Sequence, residues 1–367
     1  MLIIYIDYAS EGNSGFYSAR ILESYNREVP LVAYLHNRYS YGVNNRKVFK
    51  IFDCFSRFIK FRTGKLVIKY FDIYICFSII LILLKIKSIN NKLIIILNFH
   101  QSFHAYKFFS RLVGKFAKVF IVVHDAVELQ HKYPKQIMSD RDEVLKSADA
   151  LLVHGNDSIN KLKYLSKKIY KIPFPIKIDK NSIFNQKAFG SKIKFLFIGH
   201  IRPEKGLDIL LKAWKSLSAD YLSLAKLQIA GTNNSREPYD FRNIENCETL
   251  IRYLDDEDFI KLILECDYVV MPYTGGTNSG ILSVAASLNR PCITSNIPVF
   301  LESIFSLPEL TFTQENSLAN CIESAITNHA VRYNDIRRNL ETKCNHYNIK
   351  YDNDMNLFFE NLTNEYK

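Results

Sequence analysis

Residues 195–214 read FLFIGHIRPEKGLDILLKAW. An apolar run ends at Gly199, a short loop carries Arg202 and Lys205, and Gly206 opens a stretch with apolar residues at 207, 210, 211 and 214. The run suits a buried strand of a parallel sheet, and the spacing after it suits a helix lying on that sheet. A parallel strand followed by a helix N-terminus is where such sheets bind anions. An Arg and a Lys in the loop can neutralise a diphosphate. The same residues also fit a solvated basic turn in which Gly206 serves backbone geometry alone.

A second stretch of this kind lies at 267–285, DYVVMPYTGGTNSGILSVA. A strand ends at Pro272, a loop of Gly, Thr, Asn and Ser follows, and a helix begins at Ser279–Gly280. Small residues let a ligand approach the backbone, and the open N–H groups of a helix start hold phosphate or sugar oxygens. The hydroxyls of Thr277 and Ser279 and the amide of Asn278 can add hydrogen bonds. The plain alternative is a strand–loop–helix turn capped by Asn278 or Ser279.

Outward from these two stretches the pattern repeats. Continuous β-branched runs at 2–6, 31–35, 93–97, 119–123 and 150–153 read as parallel strands, with helical patterns at 14–25, 105–116 and 141–147. After 172–176, IPFPI, a second series offers strands at 194–198, 226–230, 250–253, 268–271 and 292–294 and helices at 206–216, 257–265 and 280–287. The expected architecture is α/β, with two Rossmann-like, doubly wound parallel-sheet domains. Residues 1–172 form the first, 173–190 a linker and 191–345 the second; a helix at about 346–367 is expected to pack back on the first.

The chain has 367 residues, with 48% hydrophobic and 23% charged, which excludes a disordered or fibrous protein. Its net charge of +11 is unevenly spread. Residues 1–180 carry 29 Lys and Arg against 14 Asp and Glu, a surplus of 15, whereas 181–367 carry 19 against 23. Between 38 and 118 there are 16 basic residues and only Asp53 and Asp72 as acids, so this half is expected to face something anionic. Seven scattered cysteines without a CxxC fit neither a disulfide framework nor a zinc site, and suggest a reducing cytoplasm. The N-terminus reads as a strand and not as a signal peptide. The apolar run 70–84 is shorter than the ~20 residues that span a bilayer, and reads as a buried strand or helix; with the apolar helical stretch around 48–61 it is also a candidate for touching a membrane surface.

The loops 199–206 and 272–280 resemble those of family 4 glycosyltransferases of the GT-B fold, in particular the bacterial polysaccharide-assembly branch. That branch carries a Gly-x-Ile-Arg-Pro-x-Lys-Gly loop and a Pro-Tyr…Ser-Gly loop. The resemblance is specific over 195–300 and rests on layout over 1–180. It implies two domains facing across a cleft. It also implies transfer of a hexose from a UDP- or GDP-linked sugar, with retention of configuration and without metal or other cofactor. The implied acceptor is an undecaprenyl-diphosphate-linked oligosaccharide of O-antigen, lipopolysaccharide, capsule or exopolysaccharide synthesis. The expected location, argued from the basic 38–118 block and the apolar helical stretches around 48–61 and 70–84, is peripheral, on an anionic membrane surface at the cytoplasmic face of the plasma membrane.

By the same resemblance Gly199, Arg202 and Lys205 meet the donor diphosphate, Thr277, Asn278, Ser279 and Gly280 its phosphates and sugar, and Tyr253 and Leu254 the nucleobase. Gly12 and Gly15, after the first strand, correspond to a loop near donor and acceptor. His124, after the 119–123 strand, corresponds to a histidine facing the reacting sugar, with Asp125 beside it to fix its tautomer. For both the plain alternative is structural: a flexible βα turn and a core histidine. His100, His104 and His154 also follow strands and rank lower. One departure is clear. Two glutamates common in the family are replaced here by Gly276 or Thr277 and by Val284, with Glu302 a possible substitute at the ribose. That departure admits a non-catalytic homologue acting as an assembly partner. A nucleic-acid-binding role for the basic half lacks any RRM, KH or zinc-finger signature, and sugar phosphorylases and epimerases fit the loops poorly.

Overall fold

In the computed structural model the described residues are 1–8, 12–25, 29–36, 47–52, 65–99, 103–124, 126, 135–176, 192–233, 239, 241, 244–276, 279–313 and 317–366. They form two compact units, Met1–Pro175 with Tyr351–Lys367, and Ile176–Lys350. Most of the expected linker, 177–190, lies outside the described residues.

The first unit runs β1 (Leu2–Asp7), α1 (Gly12–Glu23), β2 (Leu31–His36), β3 (Lys47–Phe52), α2 (Lys65–Ser88), β4 (Leu93–Phe99) and α3 (Phe103–Val113). It continues with β5 (Lys118–Val123), α4 (Lys135–Ser147), β6 (Ala150–Val153), α5 (Asn156–Leu162) and β7 (Lys168–Lys171). All pairings are parallel, in the order β3-β2-β1-β4-β5-β6-β7. The chain winds outward from β1 to β3, crosses back to β4, and winds the other way. The switch point therefore lies between β1 and β4, at whose carboxyl ends open parallel sheets bind ligands. Strands β1 and β2 are buried at every residue, as continuous apolar runs in a two-sided sheet require.

The second unit runs β8 (Ile193–Ile198), α6 (Leu207–Lys215), α7 (Ala219–Leu224), β9 (Ala225–Ala230), β10 (Cys247–Leu250), α8 (Asp256–Glu265) and β11 (Tyr268–Met271). It continues with α9 (Gly280–Ser287), β12 (Cys292–Ser295), α10 (Pro298–Leu301), β13 (Thr311–Phe312), α11 (Leu318–Thr327) and α12 (His329–Tyr366). The sheet is parallel, ordered β10-β9-β8-β11-β12-β13, with its switch point between β8 and β11. Helix α6 buries Leu207, Leu210, Leu211, Ala213 and Trp214, the face expected from their spacing. Trp214 is fully buried, and its indole N–H donates to the Glu245 carbonyl at 2.9 Å. Removing each large apolar side chain from water contributes roughly 2–3 kcal/mol. From Tyr351 onward α12 belongs to the first unit, where Tyr25 meets Phe359 edge-on at 4.8 Å and Arg20 pairs with Asp352 at 3.1 Å.

Two parallel Rossmann-like sheets are thus present, as the sequence implies, with several local corrections. Residues 48–52 belong to a strand, not to a helix: β3 extends the sheet beyond β2, its β-branched and aromatic residues suit that position, and Phe49 stacks on Tyr34 at 5.5 Å. The strand expected at 250–253 ends at Leu250, because its partner β9 ends at Ala230; Gly231 N–H donates the last bond, to the Leu250 carbonyl. Helix α1 begins at Gly12, so Gly12 and Gly15 lie in its first turns and not in a loop. Residues 70–84 belong to the 24-residue helix α2, and no described helix is long and apolar enough to cross a membrane. The thiols of Cys76, Cys247, Cys266, Cys292, Cys321 and Cys344 are free, and Cys54 lies outside the described residues.

Candidate functional site

In the second unit both expected loops leave the switch point, one from β8 and one from β11. They are joined to each other. The Thr274 N–H donates to the Glu204 carbonyl at 3.0 Å. Gly206, with φ +66°, sits against Pro272 so closely that a Cβ would collide with the Pro272 carbonyl. Gly199, φ +113°, faces the start of α9, where a Cβ would stand 2.8 Å from Ile281 Cδ1. These are positions where only glycine serves, through its positive φ and its lack of a side chain. Gly231, φ +134°, packs on the Gly199 backbone in the same way. Gly231 is not among the expected site residues; its signal in the sequence is a glycine directly after the β9 run.

Arg202 Nη1 lies 3.4 Å from Glu204 Oε1, while its Nε is buried without a hydrogen-bond partner among the described residues. A buried guanidinium N–H costs free energy unless something accepts from it, so Arg202 is suited to an added anion. Lys205 Nζ lies 3.7 Å from the centroid of the Tyr273 ring, a cation–π contact that fixes the ammonium over the second loop. Burial raises the Tyr273 hydroxyl pKa and keeps it neutral. Next to the loop, partial burial and then the charges of Arg202 and Lys205 lower the pKa of His200, which again marks a cationic locale. Glu204 supplies one carboxylate against these two cations.

Ser279 caps α9, its hydroxyl accepting from the Leu282 N–H at 3.4 Å, so the capping role foreseen for it is present. Among the described residues a Cβ on Gly280 would meet nothing within 4 Å. Thr277 and Asn278 lie outside the described residues. Tyr253 is exposed and Leu254 half-buried in the turn before α8, where Arg252 pairs with Asp258 at 2.7 Å and Asp255 caps the helix. Glu302 is exposed at the C-terminal end of α10, and Val299 of that helix lies 3.9 Å from the place of a Gly276 Cβ. Val284 is buried in α9.

The first unit holds a polar network at its own switch point. Asp7 ends β1 and is fully buried. Its Oδ2 accepts from Ser18 Oγ at 2.5 Å and from Asn98 Nδ2 at 2.8 Å. Asn98 Oδ1 lies 2.6 Å from His124 Nε2, and Tyr106 donates to the Asn98 carbonyl at 2.7 Å. The Tyr17 ring meets His124 edge-on at 4.7 Å, and its hydroxyl lies 2.9 Å from His154 Nε2. His154 Nδ1 faces the Ile172 carbonyl at 3.2 Å. Burial pushes the His154 pKa down to about 4. Of these residues the sequence singled out His124 and ranked His154 lower; Asp7, Asn98, Tyr17 and Ser18 were missed as a group. Asp125 and His100 lie outside the described residues, and His104 lies in α3. Among the described residues no cluster of His, Cys, Asp or Glu is arranged to hold a metal ion.

Residues 179–342 match the family model described as Glycosyl transferases group 1. Among curated proteins, a GDP-mannose:glycolipid 4-beta-D-mannosyltransferase from Xanthomonas campestris pv. campestris is 29% identical over 102 residues. That match covers 27% of this chain and 29% of the relative, so less than a third of the relative's length is spanned. Among solved structures, sucrose-phosphate synthase from Thermosynechococcus elongatus superposes with a TM-score of 0.68 at 12% identity, covering 100% of both chains. The Anabaena protein HepE in complex with UDP and glucose gives 0.63 at 12%, again over 100% of both. An E. coli trehalose-6-phosphate structure bound with UDP-2-fluoro glucose gives 0.63 at 10%, over 100% of this chain and 98% of that one. At such identities the likeness is one of fold.

Proposed function

We propose that the chain is a glycosyltransferase that takes a hexose from a nucleotide sugar. The observation that carries this reading is the joining of the Arg202–Lys205 loop to the Pro272–Gly276 loop at the switch point of the second sheet. In this reading Arg202, Lys205 and the N–H groups at the start of α9 take up the charge that builds on the departing diphosphate. Gly199 lets the β8 loop lie close to α9, and Thr277 and Asn278 complete the second loop. Tyr253 and Leu254 meet the nucleobase, and Glu302 is the candidate at the ribose in place of the family glutamates. From the first unit, the α1 start with Gly12 and Gly15 and the imidazole of His124 meet the sugar or the acceptor hydroxyl. No metal or other cofactor is required, because the fixed cations and helix start supply the charge.

The family match over 179–342 supports the donor side of this reading. The name of the Xanthomonas relative favours a GDP-linked sugar and a glycolipid acceptor, with UDP kept as the alternative. We propose a polyprenyl-diphosphate-linked oligosaccharide as acceptor, in O-antigen, capsule or exopolysaccharide assembly at the cytoplasmic face of the membrane. Retention of configuration is proposed from the resemblance of the donor loops alone; the beta linkage in the name of the Xanthomonas relative speaks for inversion, and the anomeric signal of the product decides between them.

The membrane assignment draws on α2. Ile82 and Ile86 on α2 and Ile89 in the turn directly after it are 61%, 60% and 78% exposed, and Leu83 adjoins them. Lys85 and Lys87 lie in the same turns, and no acidic residue occurs from 73 to 118. An apolar ridge among lysines suits an anionic lipid surface.

The testing experiment incubates the purified chain with GDP- and UDP-linked sugars and a polyprenyl-diphosphate saccharide, and follows nucleotide release and product mass. Transfer or donor hydrolysis, lost in Arg202→Ala, supports the enzyme. Tight nucleotide-sugar binding with neither reaction, over a panel of acceptors, supports the non-catalytic partner instead.

A further inference from the structure

His124 and His154 of the first unit stack with ring centroids 5.8 Å apart, and their partners require opposite tautomers. The Asp7 carboxylate only accepts hydrogen bonds, so the Asn98 atom 2.8 Å from it must be the NH2 group. That turns Asn98 Oδ1 toward His124 Nε2, 2.6 Å away. An amide oxygen carries no hydrogen, so Nε2 donates. The neutral His124 ring therefore has its proton on Nε2 and a lone pair on Nδ1. For His154 the fixed acceptor is the Ile172 carbonyl, at 3.2 Å from Nδ1, so the proton sits on Nδ1 and Nε2 accepts from the Tyr17 hydroxyl at 2.9 Å. The Tyr17 ring then closes on the edge of His124.

We propose that Asn98, itself oriented by Asp7, is a positioning residue that holds His124 as the Nε2–H tautomer. A group meeting Nδ1 of this histidine must then be a donor. The inference deepens the proposed role of His124 and rests on it only for its kinetic consequence; the tautomer stands on the network itself.

The test is imidazole nitrogen NMR on the full chain with 15N-labelled histidine, assigned with His124→Gln and His154→Gln. The unmodified protein should show His124 with a protonated Nε2 and an acceptor-type Nδ1, and His154 with the reverse. Asn98→Ala should bring His124 to a mixture of tautomers and leave His154 unchanged. Asp7→Asn, which lets the Asn98 amide turn over, should weaken the preference too. A protonated Nδ1 on His124 in the unmodified protein overturns the proposal, as does an unchanged His124 signal in Asn98→Ala. In the transfer assay Asn98→Ala should lower kcat by about tenfold, which is the weight of one net hydrogen bond, with the KM for nucleotide sugar unchanged. If the tautomer shifts and kcat does not, the positioning role stands and the substrate role of His124 falls.

Discussion

Gly206 rests on the carbonyl of Pro272, and this contact ties the end of β8 to the end of β11. Neither residue is near the other in sequence. A methyl group at 206 would strike backbone and would demand a left-handed conformation from an L-residue. Gly206→Ala should therefore destabilise the second unit by roughly 1–3 kcal/mol. Denaturant unfolding measures it, and a loss below the error of the method would mean that the loops are not locked together.

Gly280 makes the opposite prediction. No described residue lies within 4 Å of the place of its Cβ, and alanine is accepted at the first position of a helix. Gly280→Ala should leave the melting temperature unchanged while weakening nucleotide-sugar binding, because the methyl projects into the space over the helix start. Unaltered binding in calorimetry would remove α9 from the donor site.

His154 gives a pH prediction. Its folded pKa of about 4 lies below the 6.5 of a free imidazole, so the unfolded chain binds the extra proton between these values. Stability is present above pH 6.5 and is lost as the pH falls toward 4. Between pH 7.5 and pH 5 the single group accounts for about 2 kcal/mol. In His154→Gln the loss of stability over that interval should shrink by this amount. An unchanged pH dependence would mean that the imidazole is not buried as a neutral ring.

The ridge on α2 makes a prediction about lipid. Ile86→Ser with Ile89→Ser should lower sedimentation with anionic vesicles without lowering the melting temperature, since both side chains are exposed. Lys85→Glu with Lys87→Glu should act more strongly on anionic vesicles, at about 1 kcal/mol for each basic residue removed. Equal binding of all variants, or binding that ignores anionic lipid, would place the membrane contact elsewhere.

The contrast between the two sites explains what could be read in advance. The donor loops are local: a continuous apolar strand, a loop and a helix follow one another within 20 residues, and the Ser279 cap and the start of α9 lie where the sequence puts them. The network around His124 is assembled by the sheet. Asp7, Asn98 and His124 lie at the carboxyl ends of β1, β4 and β5, which are neighbours only because the chain crosses back after β3. No spacing rule reaches from residue 7 to residue 98. Strand β7, KIYK, was missed because it is a short edge strand of half-buried and exposed residues, which leaves little apolar pattern to detect. Net charge misled in one respect: the second half carries the acidic surplus, yet it holds the Arg202 and Lys205 pair.

The central claim is that this pair grips a nucleotide diphosphate. A thermal-shift titration of the purified chain with GDP, UDP and their sugars tests it most directly, because a ligand that binds only the folded state raises its melting temperature by mass action. One nucleotide family should raise the melting temperature, and Arg202→Ala and Lys205→Ala should each abolish the rise while leaving the unliganded melting temperature near its original value. A rise that persists undiminished in both variants would contradict the account.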